Sequence, residues 1–226
     1  FIPAFSSNHL YKLMQETEGV IKYHLDHRQA ATNPDWSLTT MNSWRCLLYK
    51  LELIGQNPAR YMGYGYGNIS QRFTGEQFII SGTQTGGLAE LSAQHYCLVE
   101  KADINSNSLY SSGSCKPSSE ALSHASVYQQ DPTIQCVIHA HSPEIWQATQ
   151  ELKLAHIPET IAYGTPEMAR AIGELLHSGA LKQQALFTLL GHQDGVISFG
   201  QSFSEAACVM IKALASAKQY LPFEPR

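Results

Sequence analysis

From about residue 60 onwards, short strand-like segments alternate with helix-like segments, and this alternation constrains the fold more than any other feature. The strand-like segments, such as QFIISG and CVIHAHS, are short and mostly apolar, whereas the helix-like segments carry apolar residues at helical spacing. Interleaved elements of this kind predict an α/β domain with a mixed sheet. Neither a repeat nor a linker divides the 226 residues, so we expect one domain over residues 1–226.

Start and stop signals predict the individual elements. In residues 165–179, for example, Thr165 is a typical helix cap, Pro166 suits the first helical position and Gly179 suits a helix end. Residues 1–60 are expected to form a helical N-terminal addition. The predicted helices cover residues 6–27, 42–55, 117–130, 165–179 and 202–221, the predicted strands lie within 61–73, 77–82, 95–103, 136–142 and 185–200, and the predicted loops include 29–41 and 103–114.

Composition argues against several classes of function. The net charge is −4 with a pI near 6.2, and no basic stripe is present, which disfavours nucleic-acid binding. No apolar run approaches the ~18 residues that a membrane-spanning helix needs. The five cysteines are scattered without a C-x-x-C pair, and the first residues lack the pattern of a signal peptide. We therefore expect a cytoplasmic protein with reduced thiols that binds neither nucleic acid nor membrane.

Residues 137–142, VIHAHS, place His139 and His141 two positions apart in an apolar strand. Side chains at this spacing share one face of a strand and lie about 6–7 Å apart along it, close enough to bind one metal ion. Histidine pairs also occur in ordinary cores and interfaces, so the pair alone does not distinguish a metal site from a structural role. A third ligand would favour a metal site, because catalytic zinc takes three protein ligands and leaves one position open. His192, at a predicted strand end, is the candidate, although it can equally be a turn residue.

The segment KPSSE, residues 116–120, precedes a helix-like stretch. Ser118 or Ser119 can cap that helix and Glu120 favours its positive end, which is a sufficient structural reason for these residue types. The same helix start could also bind an anion, and Glu120 could transfer protons if a metal lay close by. His124, one helical turn later, is expected to pack or to support the site from behind.

Two glycine-rich segments, residues 65–70 and 81–87, bring further backbone N–H groups. Glycine lets the backbone approach a ligand closely and can form a concave site for an anion. Neither segment matches a P-loop or a dinucleotide-binding motif, and a plain turn explains each one on its own.

The joint order of these motifs resembles the class II aldolase/adducin family. It comprises G-N-I-S, S-G-T-Q-T-G-G-L, K-P-S-S-E-x-x-x-H, H-A-H and G-H-x-x-G, over roughly residues 60–220. The most specific part is K-P-S-S-E followed nineteen residues later by H-x-H. The family is typified by the zinc-dependent fuculose-phosphate aldolase and ribulose-phosphate epimerase.

The resemblance implies a role for each matching residue. His139, His141 and His192 match the metal ligands of the family. Glu120 matches its acid/base residue. The residues that match its substrate- and phosphate-binding positions are Gly67, Asn68, Thr85, Gly86, Ser118 and Ser119. The implied cofactor is Zn²⁺ or another divalent ion such as Mn²⁺, Co²⁺ or Ni²⁺.

The resemblance also implies a fold and a reaction. The fold is a three-layer α/β/α domain with a mixed, largely antiparallel sheet, usually in a homotetramer with active sites at subunit interfaces. The reaction is that of a lyase that cleaves or forms a C–C bond in a small hydroxy-carbonyl substrate, with or without a phosphate. Three neutral imidazoles leave Zn²⁺ its double charge, which suits the stabilisation of an enediolate. Glu120 would then move protons at the enediolate carbon, or serve as a fourth ligand while no substrate is bound.

Three departures from the family pattern leave the exact reaction open. First, two residues separate His192 from Gly195, where the patterns H-G or H-H-G are commoner in the family. Second, Gly65 stands where sugar-phosphate aldolases often have a threonine that contacts the phosphate. Third, the short segment after the H-x-H strand offers only Tyr163 as a candidate for a catalytic tyrosine. An epimerase or dehydratase on the same scaffold is one alternative, and a non-catalytic adducin-like binding domain is another. Glutamate rather than aspartate at position 120 favours the aldolase or dehydratase branch, and the three histidines disfavour a scaffold.

Overall fold

A computed structural model describes residues 19–220, which form eleven strands and five α-helices. In chain order they are β1 (His24–Gln29), α1 (Thr39–Lys50), β2 (Gly55–Gln56), β3 (Gly65–Tyr66), β4 (Asn68–Thr74), β5 (Gln77–Ser81), β6 (Tyr96–Asp103), β7 (Ser108–Gly113), α2 (Ala121–Gln130), β8 (Cys136–His141), α3 (Pro143–Gln147), β9 (Ala155–Ile157), α4 (Pro166–His177), β10 (Leu186–Leu189), β11 (Gly195–Gly200) and α5 (Phe203–Ala217), with short 3₁₀ turns at Tyr61–Gly63 and Ala93–His95.

Nine of the strands form one mixed sheet in the order β1-β7-β6-β5-β4-β8-β11-β10-β9. The β1–β7 and β9–β10 pairs are parallel, and the other neighbours are antiparallel. The largely antiparallel sheet that the family resemblance implied is therefore confirmed. Strand β8 is an inner strand that pairs with β4 on one side and with β11 on the other. All six of its residues are buried.

Helices cover both faces of the sheet and give the expected three layers. Along β8, Ile138 and Ala140 point to one face and pack in a cluster with residues of α1, α3 and α5. Val137 points to the opposite face, where the apolar cluster includes residues of α2 and α4. Because side chains alternate along a strand, His139 and His141 share the face of Val137, beneath α2 and α4.

Local signals set several of the element boundaries. Thr165 caps α4, since its Oγ1 accepts the N–H of Met168 at 3.2 Å, and Gly179 follows that helix with a left-handed φ of 79°. The predicted helix 42–55 is the helix α1, which ends at Lys50 because the chain turns at Glu52, with φ 60°, into β2.

Two predicted elements are wrong. The helix predicted over residues 6–27 is contradicted at 24–27, which belong to strand β1, while residues 6–18 lie outside the described part of the chain. The segment 103–114, predicted to be a loop, contains β7, and β1 pairs with it in parallel from His24 opposite Ser108 to Gln29 opposite Gly113. Backbone pairing at the edge of the sheet thus overrides weak local propensity. Helix α3 and strand β9 were not predicted.

Candidate metal centre

Three buried histidines converge on the α2/α4 face of the sheet. His139 and His141 are the alternate residues of β8 that point to this face, and His192 comes from the turn between β10 and β11. One ring nitrogen of each lies within 4.8 Å of the others. The ring centroids are 4.8–5.1 Å apart, and at most 5% of any of the three residues is exposed. The structure thus brings together the three residues that sequence assigned to a metal.

The turn G-H-Q-D-G places His192 next to the other two histidines, although two residues separate His192 from the glycine that follows it. The His192 N–H donates to the Leu189 carbonyl at 3.0 Å, and the Gly195 N–H donates back to the His192 carbonyl at 2.9 Å. Asp194 adopts a left-handed φ of 60°, which closes the turn, and Gly195 lies opposite His141 in the β8–β11 register. A Cβ on Gly195 would be 3.2 Å from the His192 ring, so glycine leaves room for the imidazole.

The chemistry of this donor set fits a divalent transition metal. Burial, followed by the proximity of His192 and Arg60, holds the pKa of His141 well below its ordinary value. The imidazole is therefore neutral at pH 7, as a metal ligand must be. Three nitrogen donors with one open position are typical of catalytic zinc and also suit cobalt or nickel.

Asn68, expected to bind substrate, lies directly beside His139. The two residues are register partners in the β4–β8 pair, and the Asn68 Nδ2 is 3.2 Å from the His139 Nδ1. A half-turn of the amide exchanges its nitrogen and oxygen. With the oxygen toward the ring, Asn68 accepts the Nδ1–H of His139 and leaves Nε2 for a metal, which is the usual arrangement behind a ligand histidine. Asn68 also lines the glycine–serine pocket described below.

Glu120 lies at the start of α2, against the histidine cluster. It is 1% exposed, and its Oε1 is 3.6 Å from the Nδ1 of His192. Its Oε2 accepts a hydrogen bond from the Ser123 hydroxyl at 2.6 Å, which fixes the direction of the carboxylate. The position assigned to an acid/base residue is thus adjacent to the candidate metal ligands.

His124, one turn further along α2, belongs to a separate buried network. Its Nδ1 lies 2.6 Å from the Ser70 Oγ, which also contacts the Tyr128 hydroxyl at 2.8 Å. Burial lowers the pKa of His124 to about 3, so it is neutral in the folded protein. These contacts support the expectation that His124 packs within the core.

Sequence reasoning missed a polar assembly that covers His141. The Tyr61 ring meets the His141 ring edge to face, with centroids 4.7 Å apart, and its hydroxyl donates to the Asp194 Oδ2 at 2.6 Å. Arg60 places Nη2 3.7 Å from the same carboxylate oxygen. Burial, then the bond to Asp194, raises the pKa of Tyr61, so its hydroxyl remains a donor. A lone arginine before an aromatic and glycine-rich segment was the only available signal.

Tyr163, the nearest sequence candidate for a catalytic tyrosine, contacts His192 through its ring. The two rings stack with centroids 4.2 Å apart and an interplanar angle of 27°. The Tyr163 hydroxyl donates to the Val20 carbonyl at 3.4 Å, and the Lys22 ammonium lies 4.4 Å above the ring. Tyr163 therefore packs directly against one of the three clustered histidines.

The residues assigned to phosphate binding surround a single small pocket, which we call the glycine–serine pocket. Its walls include all six of those residues: Gly67, Asn68, Thr85, Gly86, Ser118 and Ser119. Its cavity volume is about 10 Å³. The buried Arg45, another residue missed from sequence, holds one wall by donating to the carbonyls of Thr85 and Gly86 at 3.0 and 3.1 Å.

A larger cavity of about 380 Å³ opens beside His141. We call it the His141 cavity, and its polar lining consists of Lys50, Glu52, Arg60, His141, Glu144 and Lys218. Among residues 19–220, no helix combines the length and the apolar character of a membrane-spanning segment.

Comparisons with known proteins agree with this architecture. The family described as Class II Aldolase and Adducin N-terminal domain matches residues 58–221, whereas no curated protein matches the sequence. YgbL from Escherichia coli, a candidate aldolase/epimerase/decarboxylase, superposes with a TM-score of 0.60 at 19% identity, covering 82% of this chain and 89% of its own. L-fuculose-1-phosphate aldolase from Thermus thermophilus gives 0.58 at 20% identity, with 80% and 90% covered. The N-terminal class II aldolase domain of a conserved protein from Thermoplasma acidophilum gives 0.57 at 17% identity, with 87% and 99% covered.

Proposed function

The chain belongs to the class II aldolase and adducin N-terminal domain family, and we propose that it is a metal-dependent lyase of the class II aldolase type. In this proposal it cleaves or forms a C–C bond in a small hydroxy-carbonyl compound. His139, His141 and His192 hold Zn²⁺ or a similar divalent ion, and Glu120 is the acid/base residue. The observation that supports it best is the convergence of three buried histidine nitrogens within 4.8 Å, next to a buried carboxylate.

Aldol cleavage requires two proton transfers around one broken bond. The hydroxyl that becomes the aldehyde loses its proton, the neighbouring C–C bond breaks, and the carbon next to the carbonyl gains a proton. When bound, a divalent ion supplies positive charge that stabilises the negative charge developing on the carbonyl oxygen. Every other requirement falls on side chains of the protein.

Glu120 is suited to hold and return the proton at that carbon. Its carboxylate is fixed by the Ser123 hydroxyl at 2.6 Å and lies 3.6 Å from His192, so it faces the place where substrate would meet the ligands. The rings of Tyr61 and Tyr163 pack against the rings of His141 and His192 and help to hold both imidazoles in place.

Metal analysis of the purified protein tests the first half of the proposal. We expect about one equivalent of a divalent transition metal per chain, lost in His139→Ala. Less than about half an equivalent, unchanged by His139→Ala, would rule out a metal-dependent enzyme.

Turnover of the metal-loaded protein tests the second half. We expect retro-aldol cleavage on a panel of small hydroxy-carbonyl compounds, and Glu120→Gln should lower kcat by about 100- to 10,000-fold while retaining the metal. The matched control Glu151→Gln changes an exposed glutamate outside the site and should have no effect.

Product analysis separates the alternatives. Inversion at one carbon would indicate an epimerase, loss of water would indicate a dehydratase, and binding without conversion would indicate an adducin-like binding domain. The neighbouring Glu120 favours turnover, because a binding domain has no need of a buried carboxylate beside three histidines.

Two further parts of the proposal follow from the family resemblance. We expect a homotetramer, with each site near a subunit boundary, and sedimentation of the metal-loaded protein measures this. We also expect a cytoplasmic protein, which cell fractionation checks.

A further inference from the structure

The glycine–serine pocket is too small for the phosphate that its sequence suggests. Its volume of about 10 Å³ corresponds to roughly one water molecule, whereas a phosphate group has five heavy atoms. Gly65, which stands where a threonine is frequent in sugar-phosphate aldolases, contributes no hydroxyl to this pocket.

Gln84 occupies part of the space that a phosphate would need. Its Oε1 accepts the N–H of Gly65 at 3.1 Å, so that donor is already bonded within the protein. Its Nε2 packs against Gly19 so closely that a Cβ on Gly19 would lie 1.8 Å away. Gln84 holds this place with a left-handed φ of 57°, a conformation uncommon for residues other than glycine.

Residues 19–23 close the same pocket from the other side. The Tyr23 hydroxyl donates to the Ser118 carbonyl at 2.8 Å, and the Thr83 hydroxyl donates to the Gly19 carbonyl at 3.4 Å. Both bonds anchor this segment to walls of the pocket. A phosphate could enter only if Gln84 and this segment moved together.

The His141 cavity is large enough to hold a small substrate, and its lining includes both cationic and anionic side chains. Its volume of about 380 Å³ falls in the range of small-molecule sites, and one of its walls is a candidate metal ligand. Lys218 pairs with Glu144 at 2.9 Å, which neutralises one of the cationic side chains. Arg60 is linked to the histidine cluster through its partner Asp194, two residues from His192.

Arg60 has donors to offer a ligand. Among the described residues, its hydrogen bond to the Tyr61 hydroxyl and its ion pair with Asp194 both use Nη2, which leaves Nε and Nη1 for other acceptors. The guanidinium is held over the rings of Tyr61 and Tyr66, with its Cζ 4.9 and 5.1 Å from their centroids. A planar, pre-oriented guanidinium matches a planar carboxylate, which it can bind through two parallel hydrogen bonds.

We infer that the substrate is an unphosphorylated hydroxy-oxo acid, and that Arg60 binds its carboxylate in the His141 cavity. This inference rests on the proposed lyase function and specifies its substrate class. The hydroxy-carbonyl part of the substrate meets the three histidines and Glu120, and the carboxylate extends into the cavity. The glycine–serine pocket then holds no part of the substrate.

Three small compounds with the same hydroxy-carbonyl group test this substrate class. Hydroxypyruvate carries a carboxylate, dihydroxyacetone phosphate carries a phosphate, and dihydroxyacetone is neutral. Each is given to the zinc-loaded protein in D₂O, and exchange of its hydroxymethyl hydrogens is followed by NMR while its affinity is measured by calorimetry. We expect hydroxypyruvate to bind about 10- to 100-fold more tightly than dihydroxyacetone phosphate.

Variants of Arg60 test the residue assignment. Arg60→Gln should abolish most of the preference for hydroxypyruvate over dihydroxyacetone, measured as the ratio of their affinities. Arg60→Lys keeps the positive charge but lacks the planar guanidinium, so it should abolish only part of this preference. Arg28→Gln is the matched control, because it removes one positive charge from β1 at the far edge of the sheet and should leave the ratio unchanged.

The outcomes distinguish this inference from the function on which it rests. Tighter binding of dihydroxyacetone phosphate, weakened by Ser119→Ala, would overturn the inference and leave the lyase proposal standing. A hydroxypyruvate preference that survives in both Arg60 variants would overturn the role of Arg60. If the zinc-loaded protein exchanges hydrogens with none of the three compounds, the proposed function fails, and the substrate class fails with it.

Discussion

His124 and the cluster of three histidines are buried on the same face of the sheet, and their surroundings differ. The Nδ1 of His124 on α2 contacts the Ser70 hydroxyl in a core network, whereas His139, His141 and His192 turn their rings toward one another, and His141 also lines a cavity. Burial alone therefore does not identify a functional histidine. What distinguishes the cluster is the convergence of several nitrogens on one point, next to a carboxylate.

Removing one histidine of the cluster should have the largest effect. His192→Ala leaves two ligands, so we expect loss of the bound metal and a fall in activity of about 1000-fold or more. Metal analysis and turnover measure this, with Gln193→Ala, a change at the exposed neighbour in the same turn, as the control. Full metal occupancy in His192→Ala would remove His192 from the site.

Two residues of β4 extend the comparison to the partners of these histidines. Asn68 contacts His139, whereas Ser70, two positions later on the same face, contacts His124. Asn68→Ala should weaken metal binding by about 10- to 100-fold, because the ligand loses the group that orients it. Ser70→Ala should leave metal affinity unchanged and lower the free energy of unfolding by about 1–3 kcal/mol. Equal effects of both variants on metal affinity would contradict the separation of the two networks.

The pH dependence of stability should reveal His124 through its low pKa. The folded value is about 3, below the ordinary value of 6.5, so between these pH values the unfolded chain binds a proton that the folded chain does not. The contribution of His124 to stability is thus present above pH 6.5 and is lost as the pH falls, by about 2 kcal/mol between pH 7 and 5. Urea unfolding of the metal-free proteins measures this effect. Between pH 7 and 5, the free energy of unfolding of His124→Gln should fall less than that of the unchanged protein, by this amount. An unchanged dependence would mean that His124 is protonated in the fold.

The smallest expected effect concerns the ring stacked on His192. Tyr163→Leu removes that contact and should weaken metal binding by about two- to tenfold, whereas Tyr163→Phe keeps the ring and should bind metal and turn over substrate normally. Titration with zinc and turnover assays distinguish the two variants. A large loss of activity in Tyr163→Phe would instead make the hydroxyl a catalytic group.

Motif spacing predicted more of the site than of the sheet edges. The family boundaries expected at residues 60–220 agree with the matched range 58–221, and the three histidines come together as the motif order implied. The edge strands β1 and β9 and the strand β7 were missed, because their short or polar sequences depend on pairing partners far along the chain. The covering residues Arg60 and Tyr61 were missed for the same reason, since 133 positions separate Tyr61 from its partner Asp194.

The sequence by itself determined that His139 and His141 share a face, because strand side chains alternate with a period of two. Through the order of its motifs, it also indicated the family and His192 as the candidate for a third histidine. Only the tertiary structure decided where that third ring points, that Asn68 supports His139, and that the glycine–serine pocket is closed by Gln84 while a larger cavity opens at Arg60. These depend on contacts between residues distant in sequence, and no local periodicity encodes such contacts.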